Sequence, residues 1–183
     1  MIKQTLAVVG LSVLTLSANA ALYDRGNGLI YDDVMDITWL QDANYAQTSG
    51  YDGDGAMNWA NANTWAAGLS YGGYDDWRLA SVGNAPVTGY NVTTGELGHM
   101  FYNNLGNTSF TSILNNVSFT DATLGGGTAS FLNVQSSVYW FGEEFVDEEF
   151  GPTSAWAFST SNGNQYTPGK VISYYGWAVR AGD

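Results

Sequence analysis

Four groups of residues have types and spacings that could do chemistry. The densest is Glu143-Glu144-Phe145-Val146-Asp147-Glu148-Glu149, five carboxylates in seven positions, directly after an aromatic run. Such crowding is repulsive unless water or a cation relieves it, and hard carboxylate oxygens suit calcium. Glu143, Asp147 and Glu148 are the candidate ligands of such an ion, and Glu143 and Asp147 are candidate ligand-binding groups on a glycan edge; a solvated loop is the plainer reading. The second group, Asp52-Gly53-Asp54-Gly55, has carboxylates on a glycine turn but fails the EF-hand pattern. Ala56, Met57 and Asn63 stand where a further ligand, Gly and Glu are required, so a helix-capping turn explains it better. The third is His99, the sole histidine, with neither a nucleophile elbow nor a Walker-type loop elsewhere in the chain to accompany it. A structural placement is therefore favoured, and no catalytic residue is assigned. The fourth is Arg78, in Asp75-Asp76-Trp77-Arg78-Leu79, a guanidinium among apolar neighbours that requires a carboxylate partner. Glu144 is the candidate, making Arg78 and Glu144 a structural ion pair.

Aromatic side chains offer a different chemistry, stacking against the C–H faces of sugar rings. Of 7 Trp, 12 Tyr and 8 Phe, Trp59, Trp65, Trp156 and Trp177 fall on alternating or helical faces expected to be core. Tyr45, Tyr51, Tyr71, Tyr74 and Tyr90 lie in loops rich in Gly, Asn and Asp and are expected on the surface, where function concentrates. Tyr51, Tyr74 and Tyr90 are the candidate ligand-binding residues among them.

The elements that must position these groups are short. Glycine- and asparagine-rich joints (Gly26-Asn27-Gly28, Gly72-Gly73, Gly125-Gly126-Gly127, Asn162-Gly163-Asn164) break the chain into brief aromatic runs, the pattern of many strands joined by tight turns. Strands are predicted at Leu29 to Tyr31, Ile37 to Leu40, Trp77 to Leu79 and Val138 to Phe141. Alternation near the end puts Trp156 and Phe158 on one face, and likewise Tyr175, Trp177 and Val179. Two helices interrupt this: Met57 to Leu69, with Asp54 available as a cap, and a second opened by the capping-box spacing Thr93-Thr94-Gly95-Glu96 and continued by Leu97, Met100, Phe101 and Leu105. The expected fold class is α+β, one domain of two helices and several short antiparallel strands.

Residues 1 to 20 read as a secretory signal peptide: Lys3, an apolar stretch from Leu6 to Leu16, and an Ala18-Asn19-Ala20 cleavage site. The domain is then 21-183, exported to the periplasm or the exterior, with no further apolar run long enough to anchor it in a membrane. Net charge is −12 for 183 residues; loss of Lys3 leaves four basic side chains against 17 acids, or −13. That field repels phosphate backbones and excludes nucleic acid as a partner. Absence of cysteine excludes disulfides, thiolate nucleophiles and Cys-type zinc sites.

Several strings in order carry a family likeness: Asn27-Gly28-Leu29-Ile30-Tyr31-Asp32 with Ile37-Thr38-Trp39-Leu40; Gly72-Gly73-Tyr74-Asp75-Asp76-Trp77-Arg78-Leu79; Glu96-Leu97-Gly98-His99-Met100-Phe101-Tyr102; Tyr139-Trp140 leading to Glu144; and Trp177-Ala178-Val179-Arg180-Ala181-Gly182-Asp183. Together they resemble the Lcl C-terminal domain family of exported bacterial proteins. The resemblance implies a C-type-lectin-like fold and supplies no catalytic residues. Ala80 and Ala181 stand where relatives carry proline, and the chain stops at Asp183 where relatives continue into a sorting tail, so free release is expected. The founding member's association with sulfated glycosaminoglycans calls for a basic surface, which a chain of −13 lacks. Formylglycine-generating enzymes are distantly similar in fold, but their chemistry needs cysteine. The function expected is a non-enzymatic binding module for glycan or a cell-surface partner, requiring no cofactor although calcium would suit its acidic loop. A structural or assembly protein of the cell surface is the alternative. A glycoside-processing enzyme is the weaker one, since its carboxylate pair is defined by a separation in space.

Overall fold

A computed structural model of the chain describes residues 21–123, 125–149 and 151–183; the signal-peptide reading falls outside them. The fold is mixed α+β and mostly sheet. Among the described residues, twelve strands form two sheets. The larger contains β1 (Leu22–Gly26), β2 (Leu29–Asp32), β3 (Ile37–Leu40), β5 (Arg78–Leu79), β6 (Ser118–Asp121), β7 (Gly127–Ser130) and β12 (Ala178–Ala181), in the order β5-β12-β3-β2-β1-β6-β7. The smaller contains β4 (Ala56–Met57), β8 (Val138–Asp147), β9 (Gly151–Ser159), β10 (Asn164–Tyr166) and β11 (Tyr174–Tyr175), in the order β10-β9-β8-β11-β4. Pairing is antiparallel except for β1 with β6 and β11 with β8, which are parallel, so the all-antiparallel expectation is corrected at those two seams. No helix among the described residues is long and apolar enough to cross a membrane.

Strand β3 occupies the middle of the large sheet, and all four of its residues are buried. Its partner β12 closes the C-terminal segment onto it, pairing Val179 with Trp39. Trp39 and Trp177 meet edge to face at 5.0 Å, and Phe131 and Tyr139 complete the aromatic centre of the first core cluster. A second cluster gathers Leu40, Trp65, Trp77, Leu79 and Trp140 around the helix that follows β4. Strand β9 serves both: Trp156 and Phe158 enter the first cluster, Ala155 and Ala157 the second. The period-two pattern there separates large from small side chains between two cores, not inside from outside.

The helices are α1 (Tyr45–Thr48), α2 (Trp59–Ala67) and α3 (Glu96–His99), and α3 runs on as a π-helical turn at Met100–Asn104. Three short helices therefore replace the two expected. α2 is capped by Asn58, whose side chain accepts from the Asn61 N–H at 2.9 Å, not by Asp54. Asp52 and Asp54 instead fold their own glycine turn, taking N–H groups of Asp54, Gly55 and Ala56. The predicted capping box at Thr93 is also absent. α3 starts at Glu96 with Gly95 as its N-cap, which has no side chain to offer, and the Glu96 carboxylate is engaged elsewhere.

Gly98 sets how closely α3 approaches the preceding loop: a Cβ there would overlap the Val92 carbonyl oxygen. Backbone cannot yield as a flexible side chain can. We expect Gly98→Ala to destabilise the domain by about 2–3 kcal/mol in urea unfolding, whereas Gly53→Ala, which meets nothing within 4 Å, stays within about 0.5 kcal/mol of the parent.

Candidate functional site

Arg78 leaves β5 toward α3, and its guanidinium grips Glu96 with two parallel bonds, Nη1 to Oε2 at 2.8 Å and Nη2 to Oε1 at 2.7 Å. The Ser81 N–H donates to the same carboxylate at 2.6 Å. Beside it, Glu143 of β8 accepts from the Ser81 hydroxyl at 2.5 Å and from the Val82 N–H at 2.9 Å. These groups, with Asn63 of α2, Leu79 and Gly142, line a polar cleft of about 450 Å³. The bidentate bond to Glu96 raises the Arg78 pKa above its ordinary value against the opposing effect of burial. Both carboxylates accept from neighbouring protein donors, so the cleft ties β5, α3 and β8 together.

This corrects two assignments. The partner of Arg78 is Glu96, not Glu144. Glu144 points to the other side of β8 and binds Lys170, whose ammonium also lies 4.6 Å from the centre of the Trp59 ring. The acidic run is not a free loop either. Glu143 through Asp147 belong to β8, so strand alternation and the hairpin to β9 spread the acids apart. Glu143 turns to Ser81, Glu144 to Lys170, and Asp147 accepts from the Glu149 N–H at 2.8 Å. Glu143, Asp147 and Glu148 do not gather into a calcium site; no group of three or more His, Asp or Glu able to hold a metal occurs among the described residues.

The tyrosines separate in the same way. Tyr45 and Tyr71 are half-buried, packed edge to face at 4.9 Å, against the expectation of surface rings. Tyr74 is exposed, but Arg180 lies 3.8 Å from its ring centre, held there by Asp76 at 2.8 Å. That bond holds the Asp76 carboxyl below its ordinary range. Tyr90 stacks on Phe110. Trp59, expected in the core, is only partly buried.

Tyr51 borders a pocket. The backbone on either side is pinned to α1, Gly50 N–H to the Gln47 carbonyl at 2.9 Å and Asp52 N–H to the Ala46 carbonyl at 3.0 Å. Its 55% exposed side chain then stands at a cavity of about 310 Å³, lined also by Ser49, Thr64, Trp65, Gly68, Leu69 and Ser70. The walls are mainly apolar. Thr64 and Ser49 direct their hydroxyl protons to the Ala60 and Ala46 carbonyls, at 2.9 and 3.3 Å, which leaves their oxygens as acceptors. Trp65 is 97% buried, and its indole N–H has no acceptor in the protein. An aromatic face, an apolar wall and hydroxyl acceptors make a small-molecule site of ordinary size.

His99 is buried with its Nδ1 3.0 Å from the Asn103 amide nitrogen and its Nε2 4.0 Å from Asp32. Asp32 is held by the Val34 and Met35 N–H groups and the Asn104 amide. Protein-family models, curated protein sequences and solved structures all return no match to this chain.

The clamp generates a stability prediction. Arg78→Met leaves Glu96 half-satisfied and buried, and is expected to cost about 2 kcal/mol after discounting for the 41% exposed Arg78 side chain. That is a fall of several degrees in melting temperature. Glu144→Gln, at a more exposed pair, should cost less than half as much in the same calorimetric scan.

Proposed function

We propose that the chain is a non-enzymatic, exported glycan-binding module of the Lcl C-terminal type, with a C-type-lectin-like fold, and that the pocket at Tyr51 takes a sugar ring. The observation that carries this reading is the exposed Tyr51 ring beside a mainly apolar cavity that Trp65 and Leu69 also line, with the Ser49 and Thr64 oxygens among its walls. A pyranose has one face of C–H groups and a rim of hydroxyls. The first suits Tyr51 and Leu69, and the second suits the Thr64 and Ser49 oxygens. The sugar is neutral: the pocket contains no cation, and the surrounding chain repels anions.

Enzymatic turnover receives no support from the carboxylates, since Glu143 and Glu96 are both bonded to donors of the protein itself. Calcium is not required, because the pocket is lined by hydroxyls and rings and not by carboxylates.

A neutral-glycan array, run once with calcium and once with EDTA, tests the reading. At least one glycan should bind equally in both, quenching or enhancing Trp fluorescence on titration. Tyr51→Ala should weaken that binding about tenfold or more while leaving the melting temperature unchanged. Silence across the array, or full binding by Tyr51→Ala, would overturn it.

A further inference from the structure

Phe110 is the residue for which the fold offers least return. Its backbone sits at φ +67° and its side chain is 74% exposed. The other non-glycine residues at positive φ among the described residues are Asn27, Asp36, Ala85, Asn91 and Asn133, which are small or able to bond their own backbone. A bulky aromatic in this region is an outlier, and burial does not compensate it here.

The strained ring is held in place, not left to wander. It lies against Tyr90, centroids 4.3 Å apart and planes tilted by 37°. The Phe110 N–H donates to the Asn162 carbonyl at 2.8 Å. On the other side, Asn91 N–H donates to the Tyr102 hydroxyl at 3.0 Å, Ser109 Oγ donates to Asn91 Oδ1 at 2.8 Å, and the Tyr102 hydroxyl donates to the Gly163 carbonyl at 2.7 Å. Gly89 and Gln165 exchange two backbone bonds of 2.8 Å. Three loops are thus fixed to one another beneath two exposed rings, a preorganised surface.

Charge identifies what fits it. Residues 79–95, 100–120 and 155–169, which supply all three loops, contain no Asp, Glu, Lys or Arg, in a chain of net charge −12. Besides the two rings, the exposed side chains of these segments are amides and hydroxyls together with Ala85, Val87 and Leu114. Tyr, Ser, Asn and Gly around rigid rings form a surface that stacks and hydrogen-bonds without choosing a charge. A nucleic acid would also stack, but needs cations that these loops lack.

We propose that the Tyr90–Phe110 pair is a stacking platform for an uncharged polysaccharide chain, a second binding surface whose existence does not depend on the pocket at Tyr51. Adjacent rings engage the C–H faces of the chain, and the surrounding amides and hydroxyls engage its rim.

Co-sedimentation of the exported domain with washed cellulose, chitin and insoluble β-1,3-glucan tests it. At least one polymer should retain the protein, equally at about 0.05 M and about 0.5 M salt, because no ion pair is involved. Phe110→Gly should weaken retention about tenfold with an equal or higher melting temperature, since glycine relieves the left-handed backbone. Should that variant melt lower, Tyr90→Ala decides, with the same expected loss. Tyr51→Ala should bind the polymers as the parent does, which separates this platform from the pocket. Failure of all three polymers, retention that falls with salt, full retention by Phe110→Gly and Tyr90→Ala, or capture of an envelope protein in place of polymer would each overturn the proposal.

Discussion

The two-pronged bond between Arg78 and Glu96 is the joint on which the rest of the domain turns. β5 is only two residues long and pairs with β12 alone, and α3 has no side-chain cap and meets the chain after β5 through a single backbone bond, Glu96 N–H to the Ser81 carbonyl at 2.8 Å. The guanidinium–carboxylate fork fixes both at once, with Ser81 N–H on the same carboxylate and Glu143 gripping Ser81 and Val82 from β8. Cations are scarce, and each of the four in residues 21–183 is used as a joint. Arg25 holds Asp183, Lys170 holds Glu144 and Arg180 holds Asp76, beside the pair at Arg78. Arg25, Lys170 and Arg180 also lie over aromatic rings. An acidic domain without disulfides is thereby laced across its strand ends by few but well-placed charges.

The joint reaches the pocket through one neighbour. Leu79, next to Arg78, packs in the second core with Trp65, and both close on Gly176, where a Cβ would come within 2.9 Å of the Trp65 ring and 3.1 Å of Leu79. Trp65 therefore has one edge buried against this immovable floor while the residue also forms a wall of the cavity. Its indole N–H lacks an acceptor because the packing that fixes the ring brings no carbonyl to it. A buried donor left in this state is costly, so the ring that walls the cavity is held by the packing of the core and not by a hydrogen bond of its own.

Much of the fold was legible where side-chain type and strand period agree. Ile37 to Leu40 is a strand at the bounds read from sequence, because β-branched and aromatic residues there are buried on both faces. Val138 to Phe141 was legible as a strand, but its continuation through Glu143 to Asp147 was not. Carboxylates disfavour a strand locally, and only Lys170, Ser81 and Val82, all distant in sequence, supply the donors that relieve them. Glu96 illustrates a deeper ambiguity. A glutamate three residues after a threonine at a helix start has the spacing of a capping box, yet the same carboxylate serves Arg78, and spacing cannot rank the two. Tyr51 was legible as an exposed ring in a Gly-Asp loop, whereas the double role of Trp65 as core and pocket wall was hidden within its helical stripe. Phe110 left no signal, since positive φ at a bulky residue is imposed by the loops around it.

The central claim is that Arg78 and Glu96 act as one unit, and a double-mutant cycle measures it most directly. Urea unfolding of Arg78→Met, Glu96→Gln and the double variant should give a coupling of about 1.5 kcal/mol or more, the second substitution costing little once the first is made. Additivity within about 0.5 kcal/mol would contradict this, leaving β5 and α3 to be held by packing and by their backbone bonds to β12 and Ser81.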